Sequence, residues 1–340
     1  MGLIRFLLHP IRLSKVISEF KLFIGLNGLT LKEFLQQSID MVPKGKLIVV
    51  GGAVDKGSFT EEHDEKEVQK NFNFFERGIL RRIVTESAHN NNSRIEVITT
   101  ASQVPEEVGH EYEKAFQHLG ATNLGILGIK TREEANSAEI NNRLSKADIV
   151  MFTGGDQLRL TSILGGTAFH RNLLSKYHND AVVIAGTSAG AAACSNNMIY
   201  QGSATEALLK GEVKITSGLG LINHVIIDTH FVHRGRIGRL FQAVVGNPMV
   251  LGIGLGEDTG LLIIHGKKME ALGSGLVILV DGRFINDTNL TEIELGEPIS
   301  IEHLVVHVMA KGSLYDLETH KLTVHKAPKS GLPKNIVQHP

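Results

Sequence analysis

Ser188 lies in Gly186-Thr187-Ser188-Ala189-Gly190, a G-x-S-x-G pentapeptide entered from the apolar run 181–185 and left through Ala191, Ala192 and Ala193. A serine flanked in this way at the end of a buried strand is how a nucleophile is mounted, because a tight strand-to-helix turn leaves no space for side chains around the hydroxyl. The N–H of Ala189, opening the following helix, is placed to stabilise an oxyanion. Such a serine needs a base, and the base needs an acceptor that fixes its tautomer. Two later segments supply both: Asp228-Thr229-His230-Phe231-Val232-His233-Arg234-Gly235-Arg236, at a strand end, and Gly254-Leu255-Gly256-Glu257-Asp258-Thr259-Gly260, beside another. His230 as base and Glu257 as acceptor lead. On spacing alone, His233 as base and Asp258 or Asp228 as acceptor stay open.

Further residues bear on the same chemistry. Gly154-Gly155-Asp156-Gln157 closes the strand expected beside that of Ser188, where a second oxyanion donor belongs, and the Gly155 N–H fits because no side chain blocks approach. Gln157 then faces the substrate, although an ordinary turn with Asp156 at a helix start explains the segment more plainly. Arg234, Arg236 and Arg239 follow the candidate base closely, and guanidinium groups grip carboxylates bidentately. Arg236 and Arg239 share a face if helical, so an acidic substrate near Ser188 is expected. Gly252-Ile253-Gly254-Leu255-Gly256 invites a dinucleotide reading that fails, since the Rossmann fingerprint is not completed at Glu257 and the segment comes late.

From Lys46 the apolar runs are short, continuous and separated by helix-like segments, as for parallel strands buried on both faces. Strands are expected over 46–51, 94–100, 124–129 and 148–153, with helices over 74–87, 105–119, 133–147 and 158–177, before the strand that carries Ser188. Beyond it, strands over 225–229, 252–255, 260–265, 276–280, 304–309 and 314–317 make a mixed or antiparallel extension closing the same domain. The fold class is therefore α/β, a mostly parallel central sheet flanked by helices. Residues 1–43 form an amphipathic helical extension, 44–326 the catalytic domain, and 327–340 a Pro- and Lys-rich tail.

The 340 residues carry 35 Lys plus Arg against 36 Asp plus Glu, so no global field favours nucleic acid. Cys194 is the only cysteine, which excludes an intrachain disulfide framework and a cysteine-based zinc site. Among 16 histidines there is no H-E-x-x-H, and no metal or organic cofactor is expected. The opening apolar run is broken by Arg5, His9, Pro10 and Arg12, so neither a signal peptide nor stable membrane insertion is expected, and the location is read as cytoplasmic.

Together, Gly-Gly-Asp-Gln at 154–157, Gly-Thr-Ser-Ala-Gly-Ala at 186–191, the run Asp228-x-His-Phe-x-x-Arg-x-Arg-x-Gly-Arg-Leu240, and Gly252-x-Gly-x-x-Glu-Asp-Thr259 resemble the cyanophycinase family in order and spacing. The resemblance covers roughly residues 44–325, including Val-Val-Gly-Gly-Ala at 49–53. It implies a serine peptidase with a glutamine-amidotransferase-like fold, related to aspartyl dipeptidase E, a homodimer that releases β-Asp-Arg dipeptides from cyanophycin, a poly-aspartate carrying arginine on its side-chain carboxyls. It also implies Ser188 as nucleophile, His230 as base, Glu257 as third member, and Gln157, Asp228, Arg234 and Arg239 as substrate contacts. Thr229 stands where the family has a substrate-contacting glutamine, Gly256 where it has an acidic residue, and Gly260 where it has alanine. Those departures keep two other readings in play: a peptidase for other aspartyl or isoaspartyl dipeptides, and a non-catalytic carboxylate-binding protein. A glutamine amidotransferase fits poorly, because its nucleophile is cysteine and Cys194 falls within the helix after Ser188.

Overall fold

The computed structural model describes residues 42–52 and 78–326. The expected helical extension, apart from residues 42–43, lies outside them, as do the tail over 327–340 and residues 74–77 of the first expected helix. The first half of the chain alternates strand and helix: β1 (Lys46–Val50), α1 (Ile79–Glu86), β2 (Ile95–Ile98), α2 (Pro105–His118), β3 (Leu124–Leu127), α3 (Arg132–Asn136), α4 (Ala138–Lys146), β4 (Ile149–Phe152), α5 (Gln157–Leu164), α6 (Ala168–Asn179) and β5 (Val183–Thr187). Then come the one-turn helix α7 (Ala189–Ala192), β6 (Ser195–Gln201), β7 (Lys214–Ser217), β8 (Ile222–Asp228), α8 (Ile237–Gly246), β9 (Leu251–Leu255), β10 (Thr259–Ile264), β11 (Lys268–Gly273) and β12 (Val277–Asp281). A short ribbon of β13 (Asp287–Thr288) and β14 (Ile301–Glu302) precedes β15 (Val305–Met309), β16 (Leu314–Asp316) and β17 (Lys321–Thr323).

A nine-stranded sheet runs β17-β16-β11-β10-β1-β5-β4-β2-β3. Its β1-β5-β4-β2-β3 half is parallel, and β10 joins β1 antiparallel. These parallel strands are apolar at almost every position because both faces are covered. Ile48, Val50, Val97, Met151 and Ala185 pack with Ile83 of α1 and Phe116 of α2. On the opposite face Leu47, Val49, Val150 and Ile184 share a core with Leu164, Phe169 and Tyr177 of α5 and α6.

That second face also meets a six-stranded sheet, β15-β12-β9-β8-β6-β7, through Val225, Ile227, Ile253 and Leu279. Helix α8 closes its far side with Leu240 and Val244. The sequence led us to expect a mixed or antiparallel C-terminal extension of the domain, with no sheet assigned to each strand. The C-terminal strands divide, with β8, β9, β12 and β15 in the second sheet and β10, β11, β16 and β17 in the first. A period-2 pattern marks a strand without naming its partner. Two expected helices are likewise each two. Ser137 closes α3 and caps α4, its hydroxyl accepting from the Ile140 N–H, and Gly165-Gly166-Thr167 separates α5 from α6, with Gly166 at φ +71°.

α7 sits so tightly on β4 that a Cβ at Gly190 would lie 2.6 Å from the Phe152 carbonyl oxygen. Backbone cannot yield there as a side chain would. Gly190→Ala should therefore destabilise the fold by about 1–3 kcal/mol, seen as a lower denaturant midpoint at unchanged slope.

Candidate active site

Ser188 is the residue at which the chain leaves β5 and turns into α7. Its backbone has φ +50° and ψ −112°, a conformation costly for any L-residue and persistent only where the surroundings impose it. The turn carries the Ser188 Oγ to 3.0 Å from His230 Nε2, while His230 Nδ1 lies 3.1 Å from Glu257 Oε1. With Glu257 ionised, the proton belongs on Nδ1, which leaves Nε2 free to accept the serine proton. A hydroxyl, an imidazole and a carboxylate in series can generate an alkoxide for attack on a carbonyl.

The alternatives that spacing left open are not assembled. His233 is exposed, Asp258 accepts from the Ser274 hydroxyl at 2.9 Å, and Asp228 is buried against arginine. Burial holds the His230 pKa below its ordinary value, a shift opposed by the Glu257 hydrogen bond and reinforced by the charge of Arg234. The imidazole is thus neutral, and able to act as a base, at neutral pH. The hydrogen bond from His230 keeps the Glu257 carboxyl below its usual range, with His233, His230 and Arg234 adding charge in the same direction.

What brings serine, histidine and carboxylate together is the end of β1. Three consecutive carbonyls accept from the three site segments: Val50 from the Ser188 N–H at 2.8 Å, Gly51 from the His230 N–H at 2.8 Å, and Gly52 from the Asp258 N–H, next to Glu257, at 2.9 Å. His230 (φ +51°) and Asp258 (φ +41°) share the left-handed backbone of Ser188. Gly52 has φ +118°, and a Cβ there would overlap the His230 imidazole. Gly51 and Gly52 carried no expected role, and paired glycines directly after a buried strand were the available signal.

Around the hydroxyl, a Cβ at Gly154 would lie 3.4 Å from Ser188 Cβ, so the Gly154–Gly155 turn after β4 rests against the serine. Among the described residues neither the Ala189 nor the Gly155 N–H has a protein acceptor. Gln157 donates through Nε2 to the Ile199 carbonyl at 3.0 Å. Asp156 caps α5, accepting from the Leu158 and Arg159 N–H groups at 2.7 and 3.1 Å, so the plainer account of that segment also applies.

The arginine cluster separates into two kinds of residue. Arg239 and Asp228, both expected as substrate contacts, are 5% and 2% exposed and form a two-point ion pair with each other. Arg236 also reaches Asp228, and donates to the Thr229 carbonyl at 2.8 Å, while Asp228 Oδ1 accepts the Thr229 N–H at 2.9 Å. Thr229, the third expected contact here, is 4% exposed. The arrangement has one cause: two buried charges need each other, and this pair clamps the peptide just before His230. Arg234 remains exposed beside the relay, near enough for its charge to act on both His230 and Glu257.

Comparison with known proteins agrees with this chemistry. The family model for Peptidase family S51 matches residues 72–272. A cyanophycinase of Synechococcus elongatus is 33% identical over 282 residues, covering 82% of this chain and 81% of that protein. A cyanophycinase of Trichormus variabilis is 32% identical over 292 residues, covering 85% and 92%. The crystal structure of a peptidase from an acI-B1 Actinobacterium matches with a TM-score of 0.53 at 20% identity, over 78% of this chain and 98% of that one, which supports the mixed α/β fold. The protein is a serine-type peptidase. More narrowly, the chain belongs to peptidase family S51 and is cyanophycinase-like. No helix among the described residues is long and apolar enough to cross a membrane.

Removing Arg239 leaves Asp228 buried with only the Thr229 N–H and the longer contact from Arg236. Arg239→Met should cost about 3–5 kcal/mol, measured by equilibrium unfolding in denaturant.

Proposed function

We propose that this chain is a serine exopeptidase that hydrolyses cyanophycin, multi-L-arginyl-poly-L-aspartate, to β-Asp-Arg dipeptides. The observation that carries the reading is the continuous relay Ser188 Oγ, His230 Nε2, His230 Nδ1, Glu257 Oε1, at 3.0 and 3.1 Å. The turn at Ser188 then acts as a nucleophile elbow on a glutamine-amidotransferase-like scaffold formed by residues 44–326. Ser188 Oγ attacks the scissile backbone carbonyl as its proton passes to His230, and the Ala189 and Gly155 N–H groups receive the developing oxyanion. Collapse breaks the C–N bond, and the leaving amine takes the proton from His230. Water then attacks the acyl ester with His230 again as base, releasing the acid and restoring the Ser188 hydroxyl.

Arg234, exposed beside the relay, suits a carboxylate of the substrate, and Gln157, two residues after Gly155, retains its side-chain oxygen for a substrate donor while its Nε2 is held by the Ile199 carbonyl. The cyanophycinase relatives support the polymer as substrate. Thr229, buried where the family resemblance calls for a substrate-contacting glutamine, favours a second reading as a peptidase for other aspartyl or isoaspartyl dipeptides. The two are separated by incubating the protein with cyanophycin and with short isoaspartyl peptides and following products by mass spectrometry. Release of β-Asp-Arg from the polymer is expected, and turnover confined to the short peptides would replace the first reading with the second. Ser188→Ala should lower kcat by about 10⁵–10⁶-fold without loss of fold.

The pH profile follows from the depressed His230 pKa. The base works only when neutral, so kcat/KM should fall as pH drops through that value, with an acid limb centred below 6.5. An inflection at or above the ordinary histidine value would contradict this assignment.

A further inference from the structure

Glu257 reaches His230 from the crossing between β9 and β10, residues 256–258, so the place of its carboxylate depends on how that turn is held. Two neighbours grip the turn besides the end of β1. Thr259, fully buried at the start of β10, donates its hydroxyl to the Glu257 carbonyl at 2.8 Å, and its own carbonyl accepts the Gly51 N–H at 2.9 Å. The β11–β12 connection, residues 274–276, holds the other groups. The Ser274 N–H donates to the Asp258 carbonyl at 2.9 Å, the Ser274 hydroxyl donates to the Asp258 carboxylate at 2.9 Å, and the Leu276 carbonyl accepts the Gly256 N–H at 3.2 Å.

The Thr259 hydroxyl occupies a space cut to an oxygen atom. A Cβ at Gly275 would lie 2.4 Å from Thr259 Oγ1 and 3.2 Å from the Glu257 carbonyl oxygen, and a Cβ at Gly256 would lie 3.4 Å from Thr259 Oγ1. Both glycines let backbone close on the hydroxyl. A donating oxygen can sit 2.8 Å from a carbonyl, whereas a carbon in its place needs roughly 3.3–3.6 Å. A methyl group there would therefore push the Glu257 peptide away. The next residue gives no slack, because a Cβ at Gly273 (φ +87°) would overlap the Asp258 carbonyl and Asp258 itself is at φ +41°. The part of the turn free to take up a displacement is the Glu257 side chain, 37% exposed.

We infer that Thr259 is a positioning residue for the reaction, its hydroxyl fixing the Glu257 peptide so that the carboxylate meets His230 Nδ1, an inference that rests on the relay proposed above. Thr259 acts through Glu257 alone, with no hydrogen bond to Ser188 or His230 among the described residues. Its carbonyl ties the same residue to Gly51, whose own carbonyl accepts the His230 N–H. One buried threonine thus refers both the carboxylate and the imidazole to the end of β1. A small shift of either group weakens a geometry on which the proton transfer depends.

The test is the rate at which a fluorophosphonate labels Ser188 in the full-length protein, followed across pH, because that reaction needs the relay and no peptide substrate. Thr259→Val should lower the rate about 10–100-fold and move its acid limb to lower pH than in the wild type. The direction follows from the surroundings of His230: burial lowers its proton affinity, the Glu257 hydrogen bond raises it, and Arg234 and Arg236 lower it, so a displaced Glu257 leaves the lowering influences less opposed. Thr259→Ala removes the hydroxyl without adding a contact, covers a failure of the valine variant to fold, and should show both changes in smaller measure. Thr259→Ser keeps the hydroxyl and should restore the wild-type rate and acid limb. A wild-type rate and acid limb in whichever of the valine and alanine variants folds, or an equal loss in the serine variant, overturns the positioning role. Glu257→Gln is measured beside them. Wild-type labelling of Glu257→Gln overturns the relay itself, whereas slow labelling of Glu257→Gln with fast labelling of Thr259→Val overturns the positioning role alone.

Discussion

The site depends on backbone hydrogen bonds at the end of one strand. β1 lies between β5, its parallel neighbour, and β10, its antiparallel one. Its last carbonyl and the two that follow hold the backbones of Ser188, His230 and Asp258. Main-chain bonds of this kind fix position independently of side-chain rotamers, so the distances within the relay are set before any side chain is chosen. This explains how three residues with left-handed backbone can be tolerated together at one place. Each is disfavoured alone, and each is overdetermined by a neighbour that cannot move without disrupting the central sheet.

Charge is managed in two distinct ways around that frame. Asp228 and Arg239 are sealed from solvent and paired, and with Arg236 they grip the Thr229 peptide on both its N–H and its carbonyl. Glu257 remains more than a third exposed, and Arg234 is exposed. The buried pair thus braces the segment that presents His230, while the exposed groups tune its proton affinity. The two kinds of arginine lie within six positions in sequence.

The parallel half of the first sheet was legible because its strands are apolar runs alternating with amphipathic helices, a pattern that follows from burial on both faces. The relay was legible too, since the chemistry demands particular residue types and few segments supply them. The second sheet was not. β6 begins Ser195-Asn196-Asn197, a polar start that conceals a buried strand, and nothing in the pattern of 222–281 says which strands leave the first sheet for the second. The burial of Asp228 and Arg239 was likewise hidden, because two charged residues eleven positions apart read as surface until a strand end and a helix start are known to meet. Gly165-Gly166 could have been read as a break between helices, and Ser137 less easily, as serine is tolerated within helices.

The order of synthesis bears on the site. β1 is among the first described elements to be made, yet its antiparallel partner ends at Ile264, and the register joins Lys46 to that residue. The carbonyls that align serine and histidine also need the crossing between β9 and β10, which carries Glu257 from one sheet to the other. A chain emerging from the ribosome therefore holds its serine and histidine well before it holds the carboxylate, and its founding strand waits half-paired until more than two hundred further residues have been added. Closure of such a distant contact comes late and carries a high loop-entropy cost. The serine–histidine–carboxylate arrangement is in this sense a mark of late folding, since a chain that stops before the β9–β10 crossing lacks Glu257.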